Sequence, residues 1–191
     1  NVPVLGICGG YQMLGESIED PDGEEGGGSL HGMGLLPVRT VFGKEKVQTR
    51  VTGEILQNPG AGDGLFAALS GSVFSGYEIH MGHTTGNGKN SFSRIRTLTK
   101  GSTEAEEDWQ ADGAVCGNVA GTYVHGLFED GSLTKNLCGA LLSKKGICAE
   151  ALTQDYGAFK ESQYDLLAEK VRKALDMEQI YRMMEKQEGD R

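Results

Sequence analysis

The sequence predicts an α/β domain, and three observations carry that prediction. The chain opens on an apolar run, Val4-Leu5-Gly6-Ile7, that stops at a cysteine between glycines and passes directly into a helix-compatible segment. Its middle alternates β-branched and polar side chains with a period of two, the spacing of a strand. Its last third repeats apolar residues at helical spacing. A chain of 191 residues can bury one good core, so one domain over residues 1–191 is expected.

Val4, Leu5 and Ile7 read as the end of a buried strand and Tyr11-Gln12-Met13-Leu14 as the start of a helix, with Cys8 at the junction. Gly6, Gly9 and Gly10 permit a tight turn there, because glycine accepts strained dihedrals and lets other backbone approach closely. The stretch EDPDGEEGGGSLHGMG, rich in Pro, Gly and acids, reads as a long loop. Its Gly26-Gly27-Gly28 lacks the Lys-Ser/Thr that follows in a phosphate-binding loop. Next, LLPVRTVFGKEKVQTRVTGEIL reads as paired strands around a Gly43-Lys44 turn, with Val47, Thr49 and Val51 on one face and Gln48, Arg50 and Thr52 on the other. In GYEIHMG, strand geometry sends Tyr77, Ile79 and Met81 to one side and Glu78 and His80 to the other. Such alternation usually turns the polar face to solvent.

Residues 87–112 read as a loop around one short strand at 93–98. GAVCG and VAGTYVHG read as a hairpin across Gly117-Asn118, with His125 at the end of the second strand. Ser132 is the expected N-cap of a helix carrying Leu133, Leu137, Leu141 and Leu142, with Gly146 as its stop. Tyr164, Leu167, Ala168, Val171 and Leu175 then mark a second helix, read as packing on the parent domain. Asp176 with Gln179 is a capping arrangement for a last helix through Ile180, Tyr181 and Met184.

Composition narrows the function. A net charge of -9 repels phosphate backbones, which argues against a nucleic-acid partner. No apolar run approaches the roughly 20 residues of a membrane span, so no membrane partner is expected. Cys8, Cys116, Cys138 and Cys148 form neither a Cys-x-x-Cys pair nor a Cys/His cluster, so no metal is expected. With no secretory signal in view, reduced thiols in a cytoplasm are expected. Cys116 lies in a strand-like run and reads as buried, while Cys138 and Cys148 read as core or surface thiols.

Cys8 and His125, each at the C-terminal end of a strand, match the thiol and imidazole of acyl transfer. The Gly-x-Cys-Gly-Gly turn is the thiol counterpart of a nucleophile elbow, which pushes the reactive atom outward. The imidazole takes the thiol proton, the thiolate attacks a carboxamide carbon, and backbone N–H groups hold the oxyanion, with Gly9 as the natural first donor.

Six separated stretches then carry a resemblance: GICGGYQMLG, EDPDG, GMGLLPV, GYEIHMGHT, GTYVHGLFED and YDLLAEKVRKALDMEQIY. Together they resemble the glutamine amidotransferase domain of cobyric acid synthases. That resemblance implies a class I glutamine amidotransferase-like, flavodoxin-like fold, with Cys8 as nucleophile and His125 as catalytic histidine. Gly9, Gly10, Gln12, Glu78 and His80 are the expected glutamine-binding residues. The implied partners are glutamine, an N-terminal synthetase domain and, through it, a corrin substrate. No cofactor is implied in this domain, ATP and Mg being expected on the synthetase domain. The sequence departs from the family pattern twice. Leu127 stands where many class I amidotransferases have the triad Glu, which leaves Glu78, Glu129 and Asp130 as candidates to orient His125, and His83 stands where the family often has Arg.

Asn1 lies only seven residues before Cys8, so the chain is expected to be a C-terminal fragment whose leading strands, and second oxyanion donor, lie upstream. Alone it is expected to turn over glutamine poorly. Two other readings stay open: a related amidotransferase for cobyrinic acid a,c-diamide or a peptidoglycan precursor, and a noncatalytic binding module.

Overall fold

A computed structural model places the opening apolar run in a strand, β1 (Val4–Ile7), and the segment after Cys8 in a helix, α1 (Gly9–Leu14). It describes residues 2–58, 61–62, 64–86, 88, 90–98, 109–129, 131–148 and 156–188. These fall into two compact units, Asn1–Leu152 and Thr153–Arg191.

Two short strands follow α1, β2 (Ser17–Asp20) and β3 (Gly28–His31), and they pair antiparallel. The expected long loop is therefore a hairpin. Its strand β3 is exposed throughout, so the pairing is a backbone ladder with no apolar pattern to announce it. Asp20 closes the turn by accepting the N–H groups of Glu24, Glu25 and Gly27.

The next segment is one continuous strand, β4 (Arg39–Ile55), paired antiparallel with β5 (Val73–Thr85). The expected Gly43-Lys44 turn is instead an irregularity, with the register shifting between Phe42 and Val47. Gly43 is not among the glycines of positive φ, so the chain stays extended and β5 pairs on both sides of the shift. On its other edge β4 carries β6 (Ser93–Thr97), and β6 in turn carries β7 (Gln110–Asp112), a strand the sequence pattern did not reveal. Parallel to β4 runs β2, which joins the hairpin to the same sheet.

The expected hairpin across Gly117-Asn118 is present as β8 (Ala114–Cys116) and β9 (Val119–Thr122). Cys116, expected to be buried, is exposed at its end. Strand β9 pairs in parallel with β1, register Ile7 to Thr122, forming a three-stranded sheet ordered β1-β9-β8. Helix α1 sits on this pair through two missing side chains. A Cβ at Gly6 would lie 2.6 Å from Leu14 and 2.7 Å from the Gly10 carbonyl, and one at Gly121 would enter the ring of Tyr11.

Apolar faces of both sheets close on one core, built on Val51, Ile55, Phe66, Phe74, Ile95, Val115, Val124 and Leu133. A smaller cluster of Tyr11, Leu14, Leu36, Val38 and Tyr123 lies under α1. Leu133 belongs to α2 (Gly131–Lys144), which starts one residue before the expected N-cap, so Ser132 lies in its first turn. Gly146 stops it in the left-handed conformation, with Ile147 N–H returning to Leu142 O.

In the second unit, α3 (Tyr156–Ala174) carries Tyr164, Leu167 and Val171 at exposed positions, with Leu175 just beyond it, also exposed. Helix α4 (Met177–Glu188) is capped as expected, Gln179 N–H donating to the Asp176 carboxylate at 3.0 Å. Among the described residues no helix is long and apolar enough to cross a membrane.

Candidate active site

Cys8 is the only described residue other than glycine with a positive φ, at φ 52° and ψ -114°. The elbow read from the glycines is made by the cysteine itself. Gly9 and Gly10 are the first residues of α1, and the space where their Cβ atoms would stand is open. The strained residue is clamped on both sides: its N–H donates to Thr122 O at 2.9 Å, and its carbonyl accepts Gln12 N–H at 3.1 Å. Its sulfur makes no cap to α1 and turns instead toward Ile79 O, 3.7 Å away on β5.

Backbone strain of this kind costs about 1–3 kcal/mol. We therefore expect Cys8→Gly to be more stable than Cys8→Ala by about 1 kcal/mol in urea unfolding, since glycine tolerates the dihedral and alanine does not. An alanine variant as stable as the glycine one would show that the elbow relaxes freely.

His125 lies three residues beyond β9 and joins β5 by a two-bond bridge. Tyr77 N–H donates to His125 O at 3.1 Å, and His125 N–H to Tyr77 O at 2.8 Å. The two rings stack, with centroids 5.1 Å apart and planes 8° from parallel. The Nε2 of His125 is buried and has no hydrogen-bond partner among the described residues. Thus Cys8 and His125, on neighbouring parallel chains, approach β5 two residues apart.

Glu78 and His80 share a face, as expected, but that face is turned inward. Their side chains are only 12% and 10% exposed, whereas Tyr77 and Ile79 on the apolar face are 47% and 36% exposed. The usual rule fails here because the polar face has its own partners. Glu78 lies 3.5 Å from His80 Nε2, His80 Nδ1 donates to Gly82 O at 2.9 Å, and the His80 ring stacks on Tyr123 at 3.8 Å. Glu78 is thus engaged with His80, on the face opposite the Tyr77 ring. Gln12 is likewise buried, its Nε2 donating to the Tyr123 hydroxyl at 3.4 Å. That hydroxyl is 2.6 Å from Thr84 Oγ1, which is 2.7 Å from Thr40 Oγ1. Burial pushes the Tyr123 phenol above its ordinary range. Glu129, the other candidate partner of His125, lines a cleft of about 800 Å³ with Arg50, Tyr77, Ile79 and Gly126, and Asp130 lies outside the described residues.

Sequence reasoning missed Asp112. This carboxylate, 4% exposed at the end of β7, accepts from Ser93 Oγ at 2.7 Å, Thr122 Oγ1 at 2.5 Å and Tyr123 N–H at 3.0 Å. It therefore fixes the end of β9, whose Thr122 carbonyl holds Cys8. An acid immediately before the apolar Gly-Ala-Val run was the available signal. In the glycine-rich stretch the Gly27 N–H, with those of Glu24 and Glu25, is taken by the Asp20 carboxylate.

The sequence pattern of the CobB/CobQ-like glutamine amidotransferase domain matches residues 1–133. The chain belongs to that family. Among similar proteins are the cobyric acid synthases of Ruminiclostridium cellulolyticum, 46% identical over 97% of this chain, and Lachnoclostridium phytofermentans, 43% identical over 95%. That of Citrobacter koseri is 44% identical over 96%. The chain spans 35–36% of the length of these three relatives.

Proposed function

We propose that this amidotransferase domain hydrolyses glutamine through Cys8 and His125 and supplies ammonia to a synthetase domain that amidates corrin side-chain carboxylates in cobalamin biosynthesis. The observation that carries the reading is Cys8 itself, held at a positive φ between two backbone clamps with its sulfur turned out toward β5. A structural thiol has no reason to sit in a strained elbow. The identity with cobyric acid synthases over nearly the whole chain supports the corrin substrate.

In this reading His125 Nε2, a buried nitrogen without a partner, takes the thiol proton. The thiolate attacks the carboxamide carbon of glutamine, and the oxyanion is met by the N–H of Gly9, with Gly10 leaving space for the substrate. Collapse of the tetrahedral intermediate expels ammonia with the proton from His125 and leaves a γ-glutamyl thioester. Water, deprotonated by His125, then releases glutamate and restores the thiol. Gln12, Glu78 and His80 shape the wall of the substrate site from beneath, through Tyr123. ATP and Mg act on the synthetase domain, and the whole enzyme works in the cytoplasm.

Brief labelling with a chloroketone analogue of glutamine, followed by mass mapping, tests this. Cys8 is expected to be alkylated first and to be protected by glutamine. Earlier modification of Cys116, Cys138 or Cys148 would remove the nucleophile assignment.

A further inference from the structure

A general base must keep its ring aimed at the proton it takes, and in thiol and serine hydrolases a carboxylate on the second ring nitrogen commonly does this. Here one of the candidate acids, Glu78, is engaged with His80 on the opposite face of β5. The ring of His125 stacks on the parallel ring of Tyr77. We propose that Tyr77 is a positioning residue of His125, holding the imidazole plane by stacking.

Two independent features lock the pair. The backbone bridge places residues 77 and 125 directly opposite each other as a hydrogen-bonded cross-strand pair, so their side chains leave on one face. The stack then fixes the imidazole plane, at 8° from the phenol plane, without occupying either ring nitrogen. Nε2 stays free for proton transfer. A flat contact of this kind depends on the aromatic face, not on the phenol hydroxyl, and that gives the proposal a sharp signature.

The proposal rests on the Cys8–His125 reading, and its test separates the two. The rate at which Cys8 of the full chain displaces chloride from the glutamine chloroketone is measured across pH for four proteins: unmodified, His125→Ala, Tyr77→Val and Tyr77→Phe. Tyr77→Val, a good strand former at a half-exposed position, should slow alkylation about three- to tenfold, the range of an aromatic pair, and shift the rate–pH profile toward that of His125→Ala. Tyr77→Phe should match the unmodified chain in both rate and profile. Far-UV circular dichroism checks the strand, and Tyr77→Ile replaces Tyr77→Val if the latter does not fold. A Val or Ile variant with the unmodified profile overturns the proposal, as does a Phe variant as slow as Val. If His125→Ala itself reacts like the unmodified chain, the base assignment falls and the positioning role falls with it.

Discussion

Cys8→Ser, in the longer polypeptide proposed to join this domain to a synthetase, is expected to abolish amidation fed by glutamine while leaving amidation fed by added ammonium largely intact. A serine hydroxyl is far less acidic than a thiol, so an imidazole base generates the attacking anion far less readily. The glutamine-dependent rate should fall at least about 10³-fold, in line with removal of other covalent nucleophiles. Ammonium bypasses the elbow entirely. The two rates measured side by side decide the matter: parallel losses would mean that Cys8 supports the fold or the contact between domains, and not the chemistry.

The second large effect concerns stability. Asp112→Ala leaves Ser93 Oγ, Thr122 Oγ1 and Tyr123 N–H without their shared acceptor in a buried place. At about 1–3 kcal/mol for each unmet buried group, the loss should reach roughly 3 kcal/mol or more in urea unfolding. Asp112→Asn keeps an oxygen for Tyr123 N–H and an amide for the hydroxyls, so it should recover most of that loss. The pair also reveals a pH effect. Burial pushes the Asp112 carboxyl above its ordinary range, against the pull of the Thr122, Tyr123 and Ser93 hydrogen bonds. The folded state therefore favours the protonated acid. Its contribution is fully present below the ordinary carboxylate value of about 4 and is lost as pH rises through the higher folded value. Relative to Asp112→Asn, the unmodified chain should lose stability over that rise. A difference that does not change with pH would show that the acid titrates as it does when unfolded.

What the sequence disclosed and what it hid divide along the range of the interactions involved. Cys8 at the strand-to-helix junction, the Gly117-Asn118 hairpin, the stop at Gly146 and the cap at Asp176 were legible, because each is set by residues within a few positions of one another. The β2–β3 hairpin was not, since its exposed side chains carry no alternation and only the backbone ladder defines it. Gly43-Lys44 looked like a turn until β5, some forty positions on, held the chain straight. Face assignment failed in the same way. The period of two correctly separated Glu78 and His80 from Tyr77 and Ile79, yet which side met the interior depended on Tyr123 and His125, both remote in sequence. At the site, Cys8 at its turn and His125 beyond its strand were readable, whereas the Tyr77 stack and the Asp112 hydrogen bonds depend on partners that only the folded chain brings near.

The bare backbone of Gly6 and Gly121 has a consequence for how such a sequence can drift. Neither residue touches substrate in the proposed chemistry, and neither offers a group that reacts. Yet any side chain at 6 would collide with Leu14 and the Gly10 carbonyl, and any at 121 with the ring of Tyr11, so each lifts α1 from its seat. Cys8 is the residue that joins that helix to its strand, and would travel with it. These two positions are therefore closed to substitution as tightly as a catalytic one, by geometry alone, and strict retention of glycine there across descendants would record the placement of the sulfur and not any reactivity of its own.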